Sequence, residues 1–208
     1  MAGTEALTRK VSVIDRLLLL AAGLLAAYQV VVGVEGLATL AVTSYTIGFG
    51  VLLLAGLLLI ILGFEVLESP LVVIVSTLIP LSLSLGLVAE HLPMLTPIYL
   101  GFSILGFISV AATRLAAPGH LALGILACVH GVSGLLIFGL PLALSLNGAK
   151  PPGFALVSLG GALIGVGGLL LSFLRAGRPI LSRPNILAIF PALLLFTTAA
   201  FVAGFALG

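Results

Sequence analysis

Among the ionisable side chains of this sequence, only that of His130 falls deep inside a long apolar segment. The segment begins near Leu121, which puts His130 about 13 Å along a helix that rises 1.5 Å per residue. This depth is close to the middle of a hydrocarbon core about 30 Å thick. An imidazole there could be an axial ligand of a haem or chlorin, or a member of a proton relay. It could equally be a neutral ring that hydrogen-bonds to a serine or a carbonyl group of a neighbouring helix.

The other residues that commonly carry chemistry form no catalytic or metal-ligating set. His91 and His120 are expected at opposite membrane surfaces, so neither can share a haem with His130, and a metal site built from the three is not expected. Phosphate-binding glycine loops, nucleophile elbows and His/Cys ligand spacings are missing from the sequence. No charged residue lies near the middle of an apolar segment, although such charges mark most ion and proton paths. The sequence therefore predicts a protein that is not an enzyme and holds no cofactor, apart from the ligand role open to His130.

The composition predicts a polytopic membrane protein. Hydrophobic residues make up 62% of the 208-residue chain and charged residues only 7%, and the mean hydropathy is +1.43. A soluble domain needs about 25% charged residues to cover its surface. The net charge of +2 is small and scattered, which excludes a nucleic-acid-binding surface.

Seven apolar segments are long enough to cross a bilayer, at about 20 residues for each crossing. They are separated by short loops that contain Gly, Pro, Asn and charged residues, and no soluble domain is visible. The fold class predicted is all-α, a single transmembrane domain over residues 1–208 with seven membrane-spanning helices. The segments cover residues 14–34, 42–64, 71–89, 95–115, 121–146, 154–174 and 186–207.

The basic residues predict the orientation of these helices. When seven crossings alternate from an N-terminus inside the cell, seven of the eight basic residues fall inside and only Lys150 falls outside. The inside set is Arg9, Lys10, Arg16, Arg114, Arg175, Arg178 and Arg183. The bias predicts a multi-pass protein of the plasma membrane with a cytoplasmic N-terminus and an outside C-terminus.

The sequence also contains a possible internal repeat. A shift of 111 residues superposes the first three segments on the last three without a gap, and it places Pro80 on Pro191. This predicts a 3+1+3 arrangement of parallel halves, 14–89 and 121–207, joined by the helix 95–115. The alternative is chance similarity between segments that are all rich in Leu and Gly.

The sixth segment carries a seam of small residues whose steps of three and four put them on one helical face. Small side chains let another helix approach closely, and that helix could belong to this chain or to another subunit. The seam consists of Ser158, Gly161, Gly165, Gly168 and Ser172.

Three prolines fall within the third, fifth and seventh segments: Pro80, Pro141 and Pro191. Each removes a backbone donor and frees the carbonyl group four residues earlier. The result is either a static kink or a hinge near a binding site.

Two functions fit this sequence. The first is a structural or accessory subunit of a larger membrane complex, in contact with the lipid bilayer and with other membrane subunits or further copies of itself. The second is a small transporter or carrier for a neutral or apolar solute. A polar cavity at mid-depth would favour the carrier, and an interior packed to ordinary density would count against it.

Overall fold

A computed structural model describes residues 9–34, 36–116, 119–175 and 180–208, and the regular structure of these residues is entirely helical. Seven helices are long and apolar enough to cross a membrane, when α3 and α4 are counted as one. This confirms the predicted all-helical fold with seven such helices, which is typical of a multi-pass membrane protein. The helices are α1 (Val13–Val32), α2 (Thr39–Leu62), α3 (Pro70–Ser76), α4 (Leu78–His91), α5 (Thr96–Ala116), α6 (His120–Leu146), α7 (Ala155–Arg175) and α8 (Arg183–Ala206).

The one interruption within a predicted segment separates α3 from α4 at Thr77. Pro80 has no N–H to offer the carbonyl group of Ser76, so the regular hydrogen-bond ladder cannot continue there. The Thr77 N–H lies 3.2 Å from the carbonyl oxygens of both Val73 and Ile74, and its hydroxyl donates to Val73 at 2.8 Å. Pro141 and Pro191, in contrast, lie within α6 and α8 without ending either helix.

The N-terminus of α1 is fixed by a capping box. The Ser12 hydroxyl accepts a hydrogen bond from the Asp15 N–H at 3.2 Å, and the Asp15 carboxylate accepts one from the Ser12 N–H at 2.9 Å. Two backbone donors that the helix itself leaves unpaired are satisfied in this way. Asp15 is therefore both a member of the capping box of α1 and the acid that pairs with Arg9.

Six helices pack side by side in a closed ring, in the order α1, α2, α4, α6, α7, α8 and back to α1, and α5 lies outside against α4 and α6. Aromatic rings fill the interior. Phe49 of α2 is fully buried, and its ring centroid lies 6.4 Å from that of Phe201 and 6.0 Å from that of Phe205, both on α8. The order of neighbours maps onto itself when α1, α2 and α4 are exchanged with α6, α7 and α8.

Candidate functional site

The small-residue seam of α7 begins in close contact with α6. A Cβ at Gly161 would lie 2.9 Å from Cγ2 of Ile137 and 3.3 Å from the backbone nitrogen of Phe138. Ser158, one turn earlier, is also buried, and its hydroxyl has no hydrogen-bond partner among the described residues. This half of the seam therefore serves packing between two helices of this chain.

Further along the same face, the seam is open. Among the described residues, no atom outside the nearby backbone of α7 itself lies within 4 Å of a Cβ placed at Gly165 or Gly168, and Gly165 is exposed. On α6, Gly131 and Gly134 have equally open surroundings. We call Gly165 and Gly168 the open half of the seam. The side chain of Ser172, the last predicted member, lies outside the described part of the structure.

His130 is exposed on the surface of the bundle, near the middle of α6. Its Nδ1 lies 3.0 Å from the carbonyl oxygen of Leu126, so the hydrogen-bond partner is in its own helix and not in a neighbouring one. A neutral ring that donates from Nδ1 leaves Nε2 as an acceptor. The described residues contain no group of three His, Cys, Asp or Glu side chains that could hold a metal ion. Ligation of a cofactor by His130 stays a prediction.

Glu90, at the end of α4, is the centre of a polar cluster that joins three parts of the chain. Its Oε2 accepts a hydrogen bond from the Tyr45 hydroxyl at 3.1 Å, and its Oε1 accepts one from Lys150 Nζ at 3.2 Å. His91 Nε2 is 3.4 Å from the same Oε1, but it is not aligned for a hydrogen bond. We call these four residues the Glu90 cluster. Both carboxylate oxygens have partners, so the cluster is suited to holding α2, α4 and the α6–α7 loop together.

Aromatic rings lie directly beneath the Glu90 cluster. Lys150 Nζ is 5.3 Å from the ring centroid of Phe154, a distance at which a cation is attracted to the face of the ring. The Phe154 ring lies 6.3 Å from that of Phe205, and the Phe205 ring lies 4.6 Å from that of Tyr45. The ion pair is therefore partly removed from solvent and continuous with the hydrophobic core.

A second polar contact is fully buried between α4, α5 and α6. The Tyr99 hydroxyl donates to Ser84 Oγ at 2.7 Å and lies 3.2 Å from Ser133 Oγ. Both serines are completely buried. This arrangement satisfies the tyrosine within the protein and attaches α5, which lies outside the ring, to two of the ring helices.

Two surface grooves lie at the opposite end of the bundle from Glu90. The larger, of about 350 Å³, is lined by both basic and apolar residues at the start of α1 and the end of α2. The smaller, of about 270 Å³, lies between Glu68, Arg183 and the last turns of α7. The two grooves share Phe64 as a wall.

Sequence reasoning missed the Glu90 cluster and the contacts of Tyr99. Glu90 and Lys150 are 60 positions apart, and periodicity within one segment cannot pair residues at such separations. One signal was present, because Lys150 is the only basic residue that the alternation of segments puts outside, and Glu90 falls on that same side. A count of the charged residues on each predicted side of the membrane could have paired Glu90 with Lys150.

Comparison with known protein families, with curated protein sequences and with solved structures finds no match to this chain.

Proposed function

We propose that this chain is a non-catalytic subunit of a larger assembly in the plasma membrane, either with other proteins or with further copies of itself. In this proposal the seven helices cross the bilayer, with the N-terminus in the cytoplasm and the C-terminus outside. The observations that carry the proposal are the exposed ring of His130 on α6 and the open half of the seam on α7, the helix that packs beside α6. Together they combine a polar ring with glycines near the middle of two apolar helices.

Lipid acyl chains and a second transmembrane helix differ in the contacts that they offer to His130 and Gly165. Acyl chains offer no hydrogen bond to the exposed acceptor nitrogen of His130, whereas a polar side chain on another helix does. Gly165 leaves room for a second backbone to approach closely, and close approach is what stabilises helix association where the hydrophobic effect is weak. A transmembrane helix of another subunit would satisfy both features at once.

We further propose that the chain consists of two parallel three-helix units with α5 between them. The support is the order of neighbours in the ring: α2 contacts both α1 and α4, as α7 contacts both α6 and α8. The contact of α1 with α8 has its counterpart in the contact of α6 with α4. The sequence shift of 111 residues exchanges these same helices.

The alternative proposal is a small carrier for a neutral or apolar solute. The two-unit arrangement and the interruption at Thr77 favour it, because parallel repeats and broken helices both occur in transporters. The packed aromatic interior around Phe49 and Phe201 counts against it. We therefore prefer the subunit.

Two substitutions on one face of α7 test the subunit proposal. Gly161→Leu should destabilise the isolated protein by about 1–3 kcal/mol or more, since the new side chain would overlap α6. Gly165→Leu should leave the denaturation temperature of the isolated protein unchanged but abolish the larger species on native gels of mild detergent extracts. Gly101→Leu, at an open position on α5, is the matched control and should change neither property.

Two results would contradict the proposal. If wild-type protein extracted from its native source migrates only as a monomer of about 21 kDa, there is no assembly to explain. If Gly165→Leu assembles as the wild type does, the open half of the seam is not the contact surface.

A further inference from the structure

We propose that the larger groove, between the start of α1 and the end of α2, binds the headgroup of an anionic phospholipid. We call it the basic groove, and its charged lining residues are Arg9, Lys10, Arg16 and Glu65. The inference rests on the membrane insertion proposed above, but it concerns a different surface from the α6–α7 seam.

The charges of the basic groove favour an anion. Of the described residues, three cationic side chains and one carboxylate line it. Arg9 is fixed in place, because it pairs with Asp15 at 2.9 Å and donates to the carbonyl oxygen of Leu187 at 2.6 Å. Lys10 and Arg16 are exposed and make no ion pair with any described residue. No described carboxylate therefore neutralises these two charges.

The apolar part of the lining favours a lipid over a free anion. The last turn of α2 contributes Ile60, Ile61 and Leu62 to the same groove, and Ile61 is 73% exposed. Below the groove, the exposed faces of α1 and α2 continue with Leu17 and Leu57. A phospholipid places its phosphate beside the cations and its acyl chains along these apolar faces, whereas inorganic phosphate would use the cations alone.

The position of the groove also suits a headgroup. It lies where two apolar helices end, which is the depth of the interface in a spanning bundle. By the basic-residue bias this is the cytoplasmic side, where anionic lipids attract basic residues near the surface.

The test uses the full chain purified in detergent, with phosphatidylglycerol and phosphatidylcholine as probes. Lipid retention is measured by native mass spectrometry, and stabilisation by the shift in denaturation temperature. Wild type should retain phosphatidylglycerol in preference to phosphatidylcholine. Glycerol phosphate, the free headgroup anion, should not displace it. Arg16→Gln should weaken phosphatidylglycerol binding about five-fold, and Lys10→Gln with Arg16→Gln should weaken it further.

Glu65→Gln should change phosphatidylglycerol binding in the opposite direction. It removes the one carboxylate among the described lining residues, so it should strengthen phosphatidylglycerol binding about five-fold. A general loss of folding cannot produce this pair of opposite effects. Arg114→Gln is the matched control, because it removes one charge that the same bias assigns to the cytoplasmic side but outside the groove, and it should leave binding unchanged.

Three results would overturn the proposal. Equal retention of the two lipids by wild type would remove the preference for an anion. An effect of Arg114→Gln as large as that of Arg16→Gln would mean that only overall charge matters. Displacement by glycerol phosphate would make the ligand a free anion. None of these results bears on the Gly165→Leu assembly test, and alkaline extraction of membranes tests insertion separately.

Discussion

The two ends of the bundle hold their charges in different ways. At the Glu90 end, the carboxylate is 13% exposed and the Lys150 side chain 27%, and the pair lies on a layer of aromatic rings. At the opposite end, Arg183 pairs with Glu68, and these side chains are 38% and 62% exposed. At the Glu90 end, which we call the covered end, protein covers most of the Glu90–Lys150 pair. The opposite end, which we call the open end, carries two surface grooves. We therefore expect the Glu90 cluster to contribute more to the stability of the fold than the exposed Glu68–Arg183 pair does.

The Arg9–Asp15 pair shows that the open end also contains a covered ion pair, so the ends differ in their surface grooves and not in the burial of every pair. Asp15 is almost completely buried, although it lies at the open end. Its carboxylate caps α1 and pairs with Arg9, whose guanidinium lies 5.5 Å from the ring centroid of Phe64. The open end therefore contains one structural ion pair below the surface and further basic residues above it.

The largest expected effect tests whether the Glu90 cluster stabilises the covered end. Glu90→Leu leaves the Tyr45 hydroxyl and the Lys150 ammonium without their acceptor, which should cost about 2–3 kcal/mol. Thermal denaturation of the purified protein in detergent measures the loss. Adding Lys150→Met should recover part of it, because replacing both members of a partly buried pair by apolar groups is often close to neutral. A double variant as unstable as the sum of the two single variants would contradict this interpretation.

A smaller effect is expected from Tyr45→Phe. The ring contact with Phe205 is kept, and only the hydrogen bond to Glu90 is lost, which should cost about 1 kcal/mol. The same denaturation assay applies. Tyr28→Phe, at an exposed position on α1, is the matched control and should have no effect. If the two variants behave alike, the hydroxyl of Tyr45 contributes nothing to the covered end.

The smallest effect is expected at the open end. Glu68→Gln breaks an exposed ion pair with Arg183, and such pairs contribute about 0–1 kcal/mol. The denaturation temperature should change by less than it does in Tyr45→Phe, and the change should vanish at high salt because exposed charges are screened. A loss comparable to that of Glu90→Leu would mean that the two ends do not differ in the way described.

The positions of the helices were predictable because length and apolar composition alone decide them. No boundary of the seven predicted segments differs from the structure by more than three residues. The interruption at Thr77 has a local cause in Pro80, three residues later, and this too was visible as a proline within an apolar run. Pro191, on which the shift of 111 residues places Pro80, does not interrupt α8.

The contacts between helices were not predictable, because they depend on which helices become neighbours. Gly161 and Gly165 belong to one sequence pattern, yet one packs against α6 and the other is open. The pattern indicates that another helix can approach α7 closely. It does not indicate where along α7 that neighbouring helix diverges. For the same reason, the sequence could place His130 at mid-depth but could not show that it lies on the outer surface.

The contact between α1 and α8 has a consequence for how the protein is made. Arg9 donates to the carbonyl group of Leu187, 178 positions later in the chain. A ribosome releases α1 before α8, so this contact cannot form until α8 has been synthesised. Contacts between residues so distant in sequence also form slowly. During synthesis α1 therefore lacks one of its two neighbours in the ring until α8 has been made.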